Sequence, residues 1–281
     1  DLFPMEKYIP LPNQYKKLPL TNMVVIRGCP YFCTFCDQAG TGARRRSPTK
    51  VVDEIKHCVE KYGIKEISFW DDTMSYHKKW MYEFLNLLIE ADLNLVWSCY
   101  AAVNTVDKDL LKLMHKAGCW NIFFGFETGV DELSKNILTH RKNRNFEKMK
   151  EVAKWTREAG IESRGSFMIG IPGETPELAK QTVQNAIELD PDYAQFLITC
   201  PYPGTKLQKE IKQGKWGKFI EEDFEKYHMW DVTWLPEGYK SVEELKNMER
   251  YAYRKFYLRP SYIIKRLLKI RSFEDIKRHI K

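Results

Sequence analysis

The 281-residue sequence contains no run of eighteen apolar residues, so it predicts no membrane-spanning helix. It also lacks the short apolar segment behind positive charges that marks a signal peptide. Its seven cysteines are odd in number and show no framework of pairs. Because disulfide-rich secreted domains need such a framework, we expect a protein of a reducing compartment, the cytoplasm.

The composition that is present is typical of a globular protein, with 43% hydrophobic and 30% charged residues. The length suits a single α/β barrel, and because the chain begins at Asp1 we expect it to be a piece of a longer protein. Residues 252–281 carry ten Lys or Arg against Glu274 and Asp275, which accounts for the net charge of +7. We expect a solvated face of C-terminal helices there, with an anionic substrate, a lipid surface or an acidic partner domain as alternatives.

Three cysteines lie close together in one loop: Cys29, Cys33 and Cys36. The loop directly follows Met23–Ile26, a β-branched run that predicts a buried strand. With seven cysteines in 281 residues, chance produces this spacing in roughly a few of a thousand sequences. The spacing allows three thiolates to converge on one metal centre.

The residues alone leave the identity of the metal open. A structural zinc site is closed by a fourth Cys or His, and the next candidates are His57 and Cys58, on a predicted helix about twenty residues later. A 4Fe-4S cluster normally takes four cysteines, so a loop that offers three leaves one iron open to another ligand. A non-catalytic iron-sulfur or zinc-binding module is therefore one alternative to an enzyme.

The Cys-x3-Cys-x2-Cys motif after a first strand, with Phe35 just before the last cysteine, resembles the radical S-adenosylmethionine superfamily. The resemblance implies a 4Fe-4S cluster on Cys29, Cys33 and Cys36 whose open iron binds S-adenosylmethionine. It implies reductive cleavage to a 5′-deoxyadenosyl radical that abstracts hydrogen from a small-molecule substrate, with Phe35 beside the cofactor. Flavodoxin or ferredoxin is the implied electron donor, and the sequence has no specific signal for nucleic acid.

Downstream of the motif, apolar strand patterns alternate with helical ones. We predict strands at residues 66–70, 93–99, 121–127, 163–169 and 193–199, and helices at 48–62, 77–90, 107–117, from 131, from 145 and at 176–189. With the first strand, these six units predict an α/β fold, a partial (β/α)6 TIM-like barrel at residues 21–204, open on one side for substrate. Residues 1–20 carry four prolines and predict a linker, and residues 205–281 predict an aromatic and basic helical extension. The basic segment at residues 44–46 is expected to be flexible.

Several polar residues at predicted strand ends resemble the contacts that the superfamily makes with S-adenosylmethionine. Asp71 and Asp72 stand where a family motif holds the amino group, although a helix-capping role is the alternative for them. Glu127 ends a strand, and Arg141 follows fourteen residues later. The pair resembles one in which the arginine neutralises the cofactor's carboxylate with its two-pronged guanidinium.

The stretch Gly-Ile-Pro-Gly-Glu-Thr from Gly170 is the second strongest motif. Glycine permits close approach of the backbone to a flat ligand, and proline stiffens the turn. The resemblance implies that this stretch packs against the adenine and that Ser166, earlier on the same strand, meets the ribose.

Other features resemble the cobalamin-binding branch of the superfamily, notably the proline-rich start and the Trp97-x-Cys99 motif. This implies cobalamin-dependent methyl transfer to an unactivated carbon, or ring formation, on a lipid or natural-product precursor. The six histidines show no Asp-x-His-x-x-Gly pattern, so a domain outside this chain would bind the cobalamin. Ala101 and Ala102 stand where that branch commonly has an arginine, which puts one substrate or cofactor contact in doubt.

A cobalamin-independent radical enzyme, such as a methylthiotransferase, is the other alternative. Most such enzymes carry further cluster cysteines or an RNA-binding domain. The remaining cysteines, Cys58, Cys99, Cys119 and Cys200, show no spacing for a second cluster. We expect Cys99 to be a buried structural residue.

Overall fold

The computed structural model describes residues 10, 14–138, 145–228 and 231–270. Strands and helices alternate over most of this length. In chain order the elements are β1 (Leu20–Met23), β2 (Ile26–Arg27), β3 (Arg44–Arg45), α1 (Pro48–Tyr62), β4 (Glu66–Phe69), α2 (Lys78–Ala91), β5 (Val96–Ala101), α3 (Lys108–Lys116), β6 (Cys119–Glu127), α4 (Asp131–Ile137), α5 (Phe146–Glu158), β7 (Glu162–Ile169), α6 (Pro176–Leu189), β8 (Tyr193–Ile198), α7 (Lys206–Lys212), β9 (Gly217–Phe219), β10 (Trp234–Pro236), α8 (Val242–Tyr257) and α9 (Pro260–Lys269).

Six strands form one parallel sheet in the order β1-β4-β5-β6-β7-β8. Along β7 buried and half-buried residues alternate, with Phe167 among the fully buried ones. Because side chains of a strand point alternately to its two faces, one face of the sheet packs on the helices and the other faces the barrel interior. The predicted partial (β/α)6 barrel is therefore confirmed.

Capping residues set the ends of the helices. Ser47 accepts a hydrogen bond from the backbone of α1, Pro48 occupies its first turn, and Gly63 ends it in the left-handed conformation. Thr175 caps α6 in the same way. Both helices have the bounds that the sequence predicts.

Two predicted segments differ from the structure. The first sheet strand, β1, ends at Met23, and Ile26 instead begins β2, which pairs antiparallel with Arg44–Arg45. The basic segment is thus a strand rather than a flexible loop, since the burial of Ile26 fixes its partner strand. In addition, β5 begins at Val96 because Asp92 and Asn94 adopt left-handed turn conformations, at φ 45° and 42°.

The C-terminal extension covers the edge of the sheet. The Tyr257 hydroxyl on α8 accepts a hydrogen bond from the Ala194 amide (2.9 Å) and donates one to the Ala194 carbonyl (2.6 Å). The Tyr253 hydroxyl accepts from the Phe196 amide at 3.2 Å. These bonds satisfy backbone groups that the edge strand β8 would otherwise expose.

The last described helix, α9, turns its basic side chains toward the protein. Lys265 bonds Asp190 at 2.7 Å and Lys269 pairs with the buried Asp192. Leu267 and Leu268 point outward and are 61% and 74% exposed. Over the ranges given above, no helix has both the length and the apolar character needed to cross a membrane.

Candidate active site

The cysteine loop is held by the ends of two helices. The amide of Thr34 donates to the carbonyl of Ile137 at the end of α4 (2.9 Å), and its carbonyl accepts from the amide of Leu207 at the start of α7 (2.8 Å). Helix ends have such unpaired backbone groups available. The loop also closes tightly on itself, because a Cβ on Gly28 (φ 86°) would lie 2.1 Å from the carbonyl oxygen of Gly42. These contacts fix the backbone conformation of the cysteine loop.

The three cysteines share an apolar environment. Cys33 is buried and Cys29 and Cys36 are half-buried, beside Tyr31 and Phe35. Burial raises the pKa of the Cys36 thiol to about 11, with added repulsion from Cys33 and Cys29 and despite a hydrogen bond from the backbone of Gln38.

This donor set fits an iron-sulfur cluster. Thiolates are the ligands that such clusters take, and a bound cation would supply the charge that favours the deprotonated form. In the described part of the chain no three side chains of His, Cys, Asp or Glu gather closely enough to hold a single metal ion. The cysteines of a cluster bind separate irons, so they need not converge on one point.

A cavity of about 340 Å³ opens beside this loop, at the carboxyl ends of β5 to β8. Its size is within the range of about 300–1,000 Å³ that small-molecule sites occupy. Its wall includes the predicted residues Phe35, Asp72, Glu127 and Ser166. The structure thus brings these four together at the edge of the barrel where parallel α/β proteins bind ligands.

The two neighbouring aspartates have different surroundings. Asp71 is 2% exposed, and its Oδ1 accepts hydrogen bonds from the amides of Val25 (2.8 Å) and Ile26. Burial raises the pKa of Asp71 to about 6, although those hydrogen bonds oppose the shift. Asp72 lines the cavity and accepts from the amide of Gly28 at 3.0 Å. Of the two, Asp72 is the one that can reach a ligand in the cavity, while Asp71 fixes the chain that leads into the cysteine loop.

Glu127 reaches the cavity through a strained turn of backbone. Its φ is 52°, a backbone conformation that residues other than glycine rarely adopt. The pairing of β6 with β7 also shifts register between Gly125 and Glu127. A Cβ on Gly125 would lie 2.9 Å from the carboxylate of Glu127, so a larger residue at position 125 would require the Glu127 side chain to move. The proposed partner of Glu127, Arg141, lies outside the described residues together with His140 and Lys142.

Gly170 is placed away from the cavity wall. Its φ is 73°, and a Cβ there would lie 2.9 Å from Leu245 of α8, so the close approach that it permits is to this helix. Its amide donates to Oε1 of the buried Glu174 at 2.5 Å, and the same oxygen accepts from the Tyr239 hydroxyl at 2.6 Å. This motif therefore joins the barrel to the C-terminal extension, whereas Ser166 lies in the cavity.

The sequence did not reveal several cavity residues, such as Tyr100, Phe123 and Met168. The alternation of side chains along β5, β6 and β7 was the signal that could have found them. Ala101 and Ala102, at the position of the missing arginine, also belong to the wall and make it apolar. Cys99 is buried and does not line the cavity, as predicted.

Comparison with known proteins agrees with this geometry. The profile of the Radical SAM superfamily matches residues 23–186. An uncharacterised methyltransferase of Pyrococcus horikoshii is 33% identical over 284 residues, which cover 100% of this chain and 59% of that protein. The anaerobic magnesium-protoporphyrin IX monomethyl ester cyclase of Rubrivivax gelatinosus is 30% identical, covering 92% of this chain and 45% of that protein.

Among solved structures, the radical S-adenosylmethionine methyltransferase TsrM from Kitasatospora setae, with cobalamin and a 4Fe-4S cluster bound, superposes with a TM-score of 0.61. It is 25% identical, and the match covers 69% of this chain and 37% of TsrM. The chain spans about half the length of the curated relatives it matches. The cysteine motif, the partial barrel and the family match together establish that this chain belongs to the radical S-adenosylmethionine superfamily.

Proposed function

We propose that the chain is the catalytic domain of a cobalamin-dependent radical S-adenosylmethionine enzyme that methylates or cyclises a small molecule at an unactivated carbon. The observation that carries this proposal is the cysteine loop fixed beside a cavity with carboxylate and hydroxyl groups at its rim. The relatives support the reaction classes, because they include methyltransferases and a cyclase.

Three polar residues of the cavity, Asp72, Glu127 and Ser166, have a proposed part in binding S-adenosylmethionine. Cys29, Cys33 and Cys36 hold the cluster, which when bound supplies the electron that cleaves the cofactor. Asp72 accepts hydrogen bonds from the cofactor's ammonium group, and Ser166 bonds its ribose. Glu127 and Arg141 complete the binding set.

The apolar part of the wall keeps water away from the reacting carbon. Phe35 lies between the cysteine loop and two further apolar clusters, one with Ile171 and the other with Trp234. Ala101 and Ala102 add methyl groups to the cavity wall. Exclusion of water from the cavity prevents side reactions of a reactive intermediate.

The remaining components are proposals as well. Cobalamin would be held by a domain outside residues 1–281, and flavodoxin or ferredoxin would supply electrons. The substrate would be a lipid or natural-product precursor. None of the seven cysteines forms a disulfide, which suits the cytoplasm.

The test is formation of 5′-deoxyadenosine by the anaerobically reconstituted full-length protein with a chemical reductant and S-adenosylmethionine. We expect the product from the wild type and from C58A, and none from C36A, because Cys58 lies on α1 outside the loop. The spectrum of the cluster should change when S-adenosylmethionine is added. A wild-type protein that holds zinc, or whose spectrum is indifferent to the cofactor, would refute the proposal in favour of a non-catalytic metal module.

A further inference from the structure

The outward side of α9 is apolar. Four large side chains of this helix are exposed, from 43% for Ile263 to 74% for Leu268, with Ile264 and Leu267 between them. Because residues three to five positions apart in a helix lie on the same side, these four form one continuous surface. We call Ile263, Ile264, Leu267 and Leu268 the apolar face of α9.

The opposite side of α9 carries its charges and packs on the protein. Lys265 bonds Asp190 at 2.7 Å, and Lys269 pairs with Asp192. Arg266 is buried on the same side. A helix at the surface of a globular protein usually buries its apolar stripe and turns its charges to solvent. In α9 this arrangement is reversed, and the ion pairs of the charged side hold the apolar face outward.

A basic groove on α8 leads to the start of α9. It has a volume of about 490 Å³ and is lined by Asn247, Arg250, Tyr251, Arg254, Lys255 and Leu258. Within the described part of the chain, Arg254 and Lys255 have no ion-pair partner inside 4.0 Å. Leu258 is 63% exposed and precedes the first residue of α9 by two positions. The positive charge of the groove is therefore next to the helix that presents the apolar face.

The charge of this region favours an anionic occupant. Residues 271–281 follow α9 in the sequence and carry four Lys or Arg against two acidic residues, so they add positive charge and do not neutralise the groove. A second copy of the chain bound here by a two-fold axis would bring two basic grooves together. Like charges across an interface are unfavourable.

The apolar residues favour a bilayer as this occupant. All four are Ile or Leu, whereas the residues that dominate protein interfaces are most often Trp, Tyr and Arg. Aliphatic side chains on one side of a helix, with Lys and Arg nearby, bind in the interface of a bilayer that contains anionic lipids. Tyr251 in the groove has the amphipathic ring that is common at the level of the headgroups.

We propose that the apolar face of α9 and the basic groove on α8 form a docking surface for an anionic membrane. The four apolar side chains enter the boundary between headgroups and acyl chains, and Arg254 and Lys255 contact the anionic headgroups. The inference goes beyond the proposed function, because the surface belongs to the C-terminal extension and takes no part in the reaction.

The experiment measures binding of the full-length protein to lipid vesicles by co-sedimentation. The vesicles consist of phosphatidylcholine, with or without an equal amount of phosphatidylglycerol. We expect the wild type to bind the anionic vesicles about tenfold or more tightly than the neutral ones, because basic residues are attracted to an anionic surface. Added salt should reduce this preference, because it screens the attraction.

One pair of substitutions tests the apolar face. L267Q combined with L268Q should weaken binding to anionic vesicles about tenfold or more, because less apolar area enters the bilayer. It should leave the free energy of unfolding unchanged, because both side chains are largely exposed in the folded protein. Y62Q is the control, since it removes an exposed ring from α1 at the other edge of the sheet. L268Q alone serves if the double variant does not fold.

A second pair tests the charge of the groove. R254Q combined with K255Q should abolish the preference for anionic vesicles. K50Q combined with K56Q changes the net charge by the same amount on α1 and should keep the preference.

Equal binding of the wild type to both kinds of vesicle would overturn the inference, and so would binding that survives in the leucine variant. Absence of vesicle binding would overturn it in favour of an acidic partner protein. A substantial loss of unfolding free energy in the leucine variant would show that another part of the chain covers the apolar face. Self-association of the wild type that the leucine variant abolishes would assign the face to a second copy.

Failure of the proposed function would appear separately, as absence of 5′-deoxyadenosine, because vesicle binding requires neither the cluster nor the radical.

Discussion

The carboxyl group of Glu174 is buried in a place where a negative charge is energetically unfavourable. Burial raises its pKa to about 8, although the Tyr239 hydroxyl and the Gly170 amide donate to it. Its second oxygen has no hydrogen-bond partner among the described residues. The folded protein therefore holds a proton on Glu174 near neutral pH, while the unfolded chain releases it above about 4.5.

This difference makes stability depend on pH. The folded state binds the extra proton between about pH 4.5 and pH 8, so the free energy of unfolding should fall as pH rises through this window, by up to about 1.4 kcal/mol per pH unit. Urea unfolding at several pH values checks this. E174Q should flatten the slope, and the exposed neighbour variant E177Q should keep it. A wild-type slope in E174Q would contradict the assignment.

Variants of Asp71 and Asp72 should affect different properties, the stability of the fold for Asp71 and cofactor binding for Asp72. D71A leaves the amides of Val25 and Ile26 without their acceptor, and we expect it to lower the free energy of unfolding by about 1–3 kcal/mol. D72A should change stability little and weaken binding of S-adenosylmethionine to the reconstituted protein about tenfold or more. Calorimetry and urea unfolding of both variants provide the measurements. Equal effects of the two variants on binding would argue against the proposed role of Asp72.

At the scale of elements, α8 supplies hydrogen bonds to β8 where a further strand would otherwise pair with it. Its tyrosine hydroxyls bond the free edge of β8. Y257F removes the hydroxyl that serves both the amide and the carbonyl of Ala194, so we expect a loss of about 1–3 kcal/mol in unfolding free energy. Y251F, on the more exposed side of the same helix, is the control and should be neutral. Faster hydrogen exchange at Ala194 in Y257F would show the same opening locally.

The elements themselves were predictable where local chemistry determines them. Ser47 with Pro48 and Thr175 with Pro176 mark helix starts, and both predicted helices are confirmed. The pairing of Ile26–Arg27 with Arg44–Arg45 could not be predicted, because it joins segments separated by the whole cysteine loop. Such contacts depend on the tertiary fold rather than on local propensity.

At the scale of the whole molecule, acidic residues beside β8 attach the last described helix. Burial alone would raise the pKa of Asp192, but Lys269, with a hydrogen bond from the Ser163 amide, lowers it overall. Asp192 should therefore stabilise the fold above about pH 4 and lose this contribution as pH falls below its lowered pKa. Asp190 bonds Arg259, the residue before α9, at 2.6 Å and Lys265 of α9 at 2.7 Å, and so adds further ionic contacts.

Weakening these contacts should release α9. In D192N we expect trypsin to cleave after Lys265 and Lys269 several-fold faster at neutral pH, as followed by mass spectrometry. D109N, on the exposed start of α3, is the matched control and should be cut like the wild type. Unchanged cleavage in D192N would mean that other contacts hold the helix.

The candidate site was only partly predictable on this scale. The cysteine motif and the strand ends pointed to the residues around the cavity, and their roles in binding the cofactor stay predictions. The alignment of Tyr100, Phe123 and Arg164 gave no motif, because it arises from the register of three strands. The different roles of Asp71 and Asp72 likewise became visible only through their hydrogen bonds.

The bond between Thr34 and Leu207 has a practical consequence for anyone who shortens this protein. A chain cut after residue 204 would keep every strand of the sheet and still lose the amide that holds the carbonyl in the middle of the cysteine loop. It would lose the tyrosines along β8 as well. A shortened chain that keeps the contact to the cysteine loop therefore extends through α7, and one that also keeps the edge of β8 covered extends through α8.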